Sequence, residues 1–253
     1  MRRAITVNSL KTAGIGLVIA AATAWGAGPA LADAYRLDYS VNHSKYGHIG
    51  SYTNTVDQEG PNATVKTNLN LKVKVLGISA YSQSADRIEK WNNGRLVYLH
   101  STTTTNGKPV EVNAVAQGDH LQVTSPKGTE MAPANLKVSN PWSPDVLNGS
   151  MIITPDDGTV TRMQISAPQE TTVQVANGSE PAKEYNINLP DLKKEYQVWF
   201  DSSGTPVKFD LVDGANTVTF TLQSKTPINP LVANAQPANP QIEIAAKKPT
   251  QTP

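Results

Sequence analysis

Four histidines are the residues whose type could bind a metal, and they are His43, His48, His100 and His120. His43 and His48 lie five residues apart across an expected turn, and His100 falls on another expected strand, so three imidazoles could meet. The chain has no paired spacing such as H-E-x-x-H, and histidines on the solvent-facing sides of strands explain the same residues. We therefore assign no metal ligand and expect no cofactor.

Nucleophilic and acid–base catalysis have no sequence signal either. The chain has no cysteine, which excludes thiol nucleophiles, disulfides and thiolate metal sites. Gly50-Ser51 lacks the G-x-S-x-G context of a serine nucleophile. Asp156 and Asp157 precede Gly158, which is typical of a turn. We predict no catalytic residue, and a hydrolase ranks third among the functions we consider.

Large apolar side chains on the expected strands could instead bind an apolar molecule. A curved antiparallel sheet has a concave face, and a half-barrel leaves that face partly open to a hydrophobic or lipid-like ligand. The candidates to line such a site are Leu69, Leu71, Val73, Val75, Tyr98, Val198, Phe200, Phe209 and Phe220. The same side chains could also pack on each other as a closed core, and the sequence leaves both interpretations open.

The elements that must position these side chains are strands, because apolar residues recur with a period of two. Leu69, Leu71, Val73 and Val75 alternate with lysine and asparagine, which predicts a long strand with one buried face. Asn106-Gly107 is a strong hairpin signal between two further strands. No amphipathic helix longer than about two turns is evident.

The second half of the chain predicts a long connection followed by more hairpins. Residues 132–150 hold three prolines and Trp142, and we expect a connection there with a helical turn at 144–147 capped by Ser143. Strands resume after Gly158, and the turn at Asp201-Ser202-Ser203-Gly204 separates two late strands. The predicted fold is mainly β: a large curved antiparallel up-and-down sheet, half-barrel or barrel-like, with few short helical turns.

The first 32 residues predict a signal peptide. Arg2, Arg3 and Lys11 form a basic start, residues 13–22 form an apolar run too short to span a bilayer, and Ala30-Leu31-Ala32 matches an A-x-A cleavage site. We expect cleavage after Ala32 and a periplasmic or secreted protein. Of the 22 basic residues, these three are removed, which leaves 19 against 21 acidic ones. That balance of charges does not indicate binding to nucleic acid. No transmembrane span is expected in the mature chain.

The C-terminal end predicts a disordered tail. Residues 226–253 follow a β domain at 33–225 and contain six prolines among 28 residues, with no aromatic residue. Such a segment cannot bury enough apolar surface to offset its ordering entropy. It could still reach a partner, so an envelope interaction or structural protein acting through this tail is the alternative function. A short strand at Ile242-Glu243-Ile244 is a further possibility.

Several segments resemble exported bacterial families that are known only as domains of unknown function. The segment Val198-Trp199-Phe200-Asp201-Ser202-Ser203-Gly204-Thr205-Pro206-Val207-Lys208-Phe209 is similar to the hairpin that closes their large curved sheet. Three further features fit these families: an expected strand at residues 35–39 that begins and ends with tyrosine, the start of the next strand at Gly47-His48-Ile49-Gly50, and Trp142 followed by a strand that begins at Asp157-Gly158. More distantly, these families resemble the half-barrels of periplasmic lipoprotein carriers. The resemblance implies a curved sheet and supplies no catalytic residues.

Overall fold

Strands make up most of residues 33–230, which are the part of the chain that the computed structural model describes. The strands are β1 (Asp33–His43), β2 (Gly47–Glu59), β3 (Asn62–Val75), β4 (Ile78–Asn92), β5 (Arg95–Thr105), β6 (Lys108–Gln117), β7 (His120–Ser125), β8 (Gly128–Pro133), β9 (Lys137–Val138), β10 (Met151–Ile153), β11 (Val160–Arg162), β12 (Gln164–Ile165), β13 (Gln169–Val175), β14 (Gly178–Leu189), β15 (Lys194–Phe200), β16 (Pro206–Asp213) and β17 (Asn216–Pro227). A short 3-10 helix spans Pro144–Asn148. The prediction of a mainly β fold is confirmed.

Fourteen strands form one large antiparallel sheet. Its order is β12-β14-β15-β16-β17-β1-β2-β3-β4-β5-β6-β7-β8, and β13 pairs with β14 beside this path. Strands β12 and β8 stand at opposite ends of the order, so the sheet is not closed into a barrel. The remaining strands β9, β10 and β11 form a small sheet of their own, in which β9 and β10 are parallel.

The large sheet is curved, and its concave face holds the two larger core clusters. In a flat sheet β2 and β16 would lie about 14 Å apart, since β17 and β1 separate them and neighbouring strands are about 4.8 Å apart. The ring centroids of Tyr52 on β2 and Phe209 on β16 are nevertheless 5.5 Å apart. Side chains from distant strands therefore converge on one interior.

A long connection between β8 and β12 lies inside this concave face. We call residues 134–163 the interior connection; it includes β9, β10, β11 and the 3-10 helix. Its buried apolar residues pack in both core clusters of the concave face, and they are Leu136, Val138, Trp142, Val146, Ile152, Ile153 and Met163. The sequence predicted a connection here, and the structure adds that this connection fills much of the interior.

The local turn chemistry agrees with the sequence. Ser143 accepts a hydrogen bond from the Asp145 amide at 3.3 Å before the 3-10 helix, as expected of a cap followed by proline. Asn106 and Gly107 have φ values of 49° and 80°, which both positions of a two-residue type I′ hairpin turn require. These local predictions are confirmed.

The sheet extends slightly past the predicted start of the tail. Thr226 and Pro227 pair with Arg36 and Tyr35 at the end of β17. Proline at position 227 does not interrupt the pairing with β1, since the amide of the next residue, Ile228, donates to the Ala34 carbonyl at 2.9 Å. The tail and its role in an interaction otherwise remain predictions, because residues 231–253, including Ile242-Glu243-Ile244, lie outside the described residues.

The predicted signal peptide, residues 1–32, also lies outside the described residues. Export and cleavage after Ala32 therefore stay predictions of the sequence. In residues 33–230 no helix has both the length and the apolar composition that crossing a membrane would need.

Candidate functional site

A cavity of about 540 Å³ lies at one end of the concave face. It is bounded by β2, β3 and β4 on one side, by β15, β16 and β17 on the other, and by the interior connection at Ser139 and Asp156. Its apolar wall includes Leu69, Leu71, Val73, Phe209, Leu211 and Phe220. A space of this size can hold a small molecule.

Two local patterns build the apolar wall. Residues Leu69, Leu71 and Val73 share one face of β3 because side chains alternate along a strand, and each is at most 7% exposed. Phe209 and Phe220 are directly paired across β16 and β17, and their rings stack with centroids 4.2 Å apart. Aromatic pairs of this kind hold the wall in a defined shape.

The structure separates the nine predicted lining residues into three groups. Leu69, Leu71, Val73, Phe209 and Phe220 line the cavity. Val198 and Phe200 are buried in the core of the concave face without lining it. Val75 and Tyr98 lie in neither place. The predicted set is thus partly cavity wall and partly packed core.

Two strand irregularities explain why Val75 and Tyr98 lie elsewhere. The β4–β5 register shifts so that Lys90 faces Tyr98 while Trp91 faces Leu96, which leaves Val97 as an extra residue. This bulge turns both Leu96 and Leu99 inward and puts the ring of Tyr98 near Lys90 Nζ, at 5.7 Å. Val75 lies beyond a second shift and is 45% exposed at the end of β3.

An ion pair forms a polar end of the cavity. The guanidinium of Arg87 on β4 donates to Asp156 Oδ1, which also accepts a hydrogen bond from Thr103 Oγ1 at 3.1 Å. The side chain of Arg87 is only 5% exposed, whereas that of Asp156 is 47% exposed. Among residues 33–230, Nε of Arg87 is buried without a hydrogen-bond partner. The half-exposed carboxylate of Asp156 is therefore the part of this ion pair that a ligand can reach.

A hydrogen-bonded turn in the interior connection positions Asp156. The neighbouring Asp157 accepts hydrogen bonds from the Thr159 amide at 3.0 Å and from Lys127 Nζ at 2.8 Å. Burial by itself would raise the pKa of Asp157, but hydrogen bonds from Lys127, Thr154 and Thr159 outweigh burial and hold the pKa well below its usual range. The turn interpretation of this acidic pair therefore applies to Asp157, while Asp156 reaches Arg87.

Tyrosine hydroxyls supply further polar groups at the cavity. Burial, with smaller contributions from the charges of Asp156 and Asp157, raises the pKa of Tyr196 to about 12. Burial likewise raises the pKa of Tyr81. Both phenols are therefore neutral at physiological pH and can donate or accept hydrogen bonds.

Deeper in the interior, Asn140 attaches the interior connection to the sheet. Its Oδ1 accepts hydrogen bonds from Tyr52 Oη at 2.7 Å and from Asn54 Nδ2 at 2.8 Å. Its Nδ2 donates to Glu89 Oε1 at 2.7 Å and to Thr67 Oγ1 at 3.2 Å. These bonds join three neighbouring strands to the loop that borders the cavity at Ser139.

Glu89 is the acidic member of this network. Its side chain is fully buried, and its second oxygen accepts a hydrogen bond from Trp91 Nε1 at 2.9 Å. Burial raises the pKa of Glu89 to about 7, although hydrogen bonds from Asn140, Trp91 and Trp142 and the charge of Arg87 oppose the shift. The carboxyl group therefore changes its charge near neutral pH.

The histidines have separate polar partners. His48 Nδ1 lies 3.1 Å from Ser40 Oγ, and His100 Nδ1 lies 2.8 Å from Asn113 Oδ1. His43 accepts a hydrogen bond from the Lys45 amide at 3.0 Å. In the described part of the chain, no group of three or more His, Asp or Glu residues could hold a metal ion.

Sequence reasoning missed the polar residues of the interior. Arg87 and Glu89 share a face of β4 with Ala85 and Trp91, which are both buried. The sequence could have indicated these two residues, because a strand places every second residue on the same face and both therefore share the face of the apolar residues. Asp156 had no such signal, since it contacts Arg87 from 69 residues away.

Comparisons with known proteins match the chain to uncharacterised families. A family model described as "Domain of unknown function (DUF6134)" matches residues 39–223. No curated protein matches the chain. A crystal structure of a beta-barrel-like protein of domain of unknown function DUF1849 from Brucella abortus is similar, with a TM-score of 0.57 and 9% identity over 78% of this chain and 98% of that chain. At this identity the likeness concerns the fold alone.

Proposed function

Because the chain belongs to the DUF6134 family, a family of unknown function, we propose its function from the cavity: it binds a hydrophobic or lipid-like molecule in the cell envelope without catalysing a reaction. The observation that carries this proposal is the 540 Å³ cavity with its apolar wall. Known small-molecule sites have volumes of roughly 300–1,000 Å³ and are lined mostly by apolar and aromatic side chains. The envelope location rests on the signal peptide expected at residues 1–32.

The polar end supports an amphipathic ligand. An acyl chain or similar apolar body can lie along Leu71 and Phe220, while its polar group lies beside the Arg87–Asp156 ion pair. Asp156 stays paired with Arg87 and limits the net charge at that end.

Filling the cavity should weaken binding. Val218 is a half-buried lining residue on β17, and Val218→Trp places an indole in the cavity. Displacement of dansyl-labelled undecanoic acid, followed by fluorescence, should show an affinity at least about tenfold lower, which corresponds to about 1.4 kcal/mol. The matched control is Val115→Trp, since Val115 is 45% exposed and does not line the cavity.

Two results would contradict this function. If Val218→Trp and wild type bind the probe with equal affinity, the probe binds outside the cavity. If Val218→Trp is poorly folded, Ala80→Trp repeats the test at an exposed position that also lines the cavity. Native mass spectrometry of protein from its own host, with organic extraction, should find an apolar molecule at one copy per chain. A clean unliganded mass together with no probe binding would leave the cavity without this role.

A further inference from the structure

The β3–β4 hairpin ends in an exposed apolar tip. Residues 72–78, which we call the tip hairpin, carry Val75, Leu76 and Ile78 with exposed fractions of 45%, 98% and 74%. Single apolar residues on a surface are ordinary, but three grouped at one protruding turn mark an interaction site. Nothing within the fold accounts for Leu76, because almost none of its side chain is buried.

The backbone at Leu76 is also unfavourable for leucine. Leu76 and Gly77 have φ values of 52° and 82°, and Asn93-Gly94 and Asn106-Gly107 form the same kind of two-residue turn with φ values of 49° and 71° and of 49° and 80°. This turn favours asparagine at its first position, and a leucine with positive φ is strained. The chain thus uses asparagine at two equivalent turns and leucine at the third, where leucine helps neither folding nor solubility.

Basic residues surround the tip. Lys72 and Lys74 are exposed on β3, and the neighbouring β1–β2 turn presents Lys45 beside the 44% exposed ring of Tyr46. In residues 33–230 none of these three lysines forms an ion pair with a described acidic group. A small groove lined by Tyr46, Lys72 and Lys74 shows that the two turns are adjacent.

Acidic rim residues belong to other strands. Glu195 and Asp213 line the cavity from β15 and β16, opposite the wall that β3 and β4 form. The tip hairpin itself contains only lysine as a charged residue. Its charge therefore complements an anionic surface.

We propose that the tip hairpin docks on an anionic lipid bilayer, with Leu76 and Ile78 inserted at the headgroup–acyl boundary and Lys45, Lys72 and Lys74 bound to lipid phosphates. Apolar insertion combined with lysine contacts is how peripheral proteins bind such membranes. A narrow hairpin end suits a fluid lipid surface, because its few side chains need no preformed pocket. Val73, Ala80 and Tyr81 line the cavity next to the tip, so docking brings the cavity mouth to the membrane.

Vesicle flotation tests the proposal, whether or not the cavity holds a ligand. The processed protein from its own host is mixed with phosphatidylglycerol–phosphatidylethanolamine vesicles and, separately, with phosphatidylcholine vesicles. Wild type should float with the anionic vesicles, and Leu76→Asn should reduce their apparent affinity about tenfold or more, because one leucine side chain no longer enters the apolar region. The thermal midpoint of Leu76→Asn should equal or exceed that of wild type, because asparagine suits the turn.

Two further variants complete the experiment. Met131→Asn is the matched control, since Met131 is 54% exposed on β8 away from the tip, and it should float like wild type. The double change Lys72→Gln and Lys74→Gln should weaken binding to anionic vesicles. Absence of wild-type flotation, or equal affinity for Leu76→Asn, would overturn the lipid assignment and leave the tip to a protein partner.

Discussion

Replacing Asn140 with alanine is expected to lower the free energy of unfolding by about 4 kcal/mol. The Asn140 side chain bonds to four side chains of the sheet, including Tyr52 and Glu89, in a buried network. Truncation leaves several of these polar groups unsatisfied, and each costs about 1–3 kcal/mol. Urea unfolding can be followed by tryptophan fluorescence, because Trp91 and Trp142 lie beside the network with ring centroids 6.1 Å apart.

Asn148 provides the matched control for this measurement. It lies on the same interior connection but is exposed, and its side chain donates one hydrogen bond to Asp145 at 3.1 Å. Asn148→Ala should change the free energy of unfolding by no more than about 0.5 kcal/mol, as is usual for surface substitutions. Equal effects of the two substitutions would mean that the buried network does not hold the interior connection in place.

The stability of the protein should fall as the pH rises from about 4.5 to about 7, because of Glu89. Its ordinary pKa of 4.5 applies in the unfolded chain, and burial raises the pKa to about 7 in the folded protein. Between these values the folded state keeps a proton that the unfolded state releases, so a higher pH favours unfolding. With about 1.4 kcal/mol for each pH unit, Glu89 removes about 3 kcal/mol over this range.

A comparison with Glu89→Gln isolates this effect. Urea unfolding at several pH values gives the free energy of unfolding for wild type and variant, and the difference between them should change over pH 4.5–7 and stay constant above it. The variant should also have a lower free energy of unfolding by a constant amount at every pH. The reason is that the side-chain nitrogen of the introduced glutamine faces a hydrogen-bond donor at Asn140 or Trp91. Parallel curves below pH 7 would contradict the raised pKa of Glu89.

Local features made the fold class predictable. Alternation along residues such as Leu69, Leu71 and Val73 identified long strands, and Asn106-Gly107 identified a hairpin, because both signals act between residues close in sequence. The expected resemblance to families of unknown function with a large curved sheet is confirmed by the family match and the structural neighbour. Export of the chain stays a prediction of the sequence.

The candidate site was predictable only in part. Five of the nine lining candidates reach the cavity, since a regular strand keeps residues two apart on one face. Tyr98 is lost from the site because the bulge at Val97 changes the alternation, and a bulge depends on how two strands pair. The alternation pattern of a single strand does not contain this information.

Local sequence patterns predicted the strands and most of their turns, because each of these depends on the preferences of a few consecutive residues. No local pattern indicated that the interior connection fills the concave face, that Asn140 bonds to Glu89 across 51 residues, or that Asp156 contacts Arg87 across 69 residues. Such contacts arise when a curved sheet brings distant segments together. The cavity is the volume that the interior connection leaves unfilled, so it depends on packing and not on a local pattern.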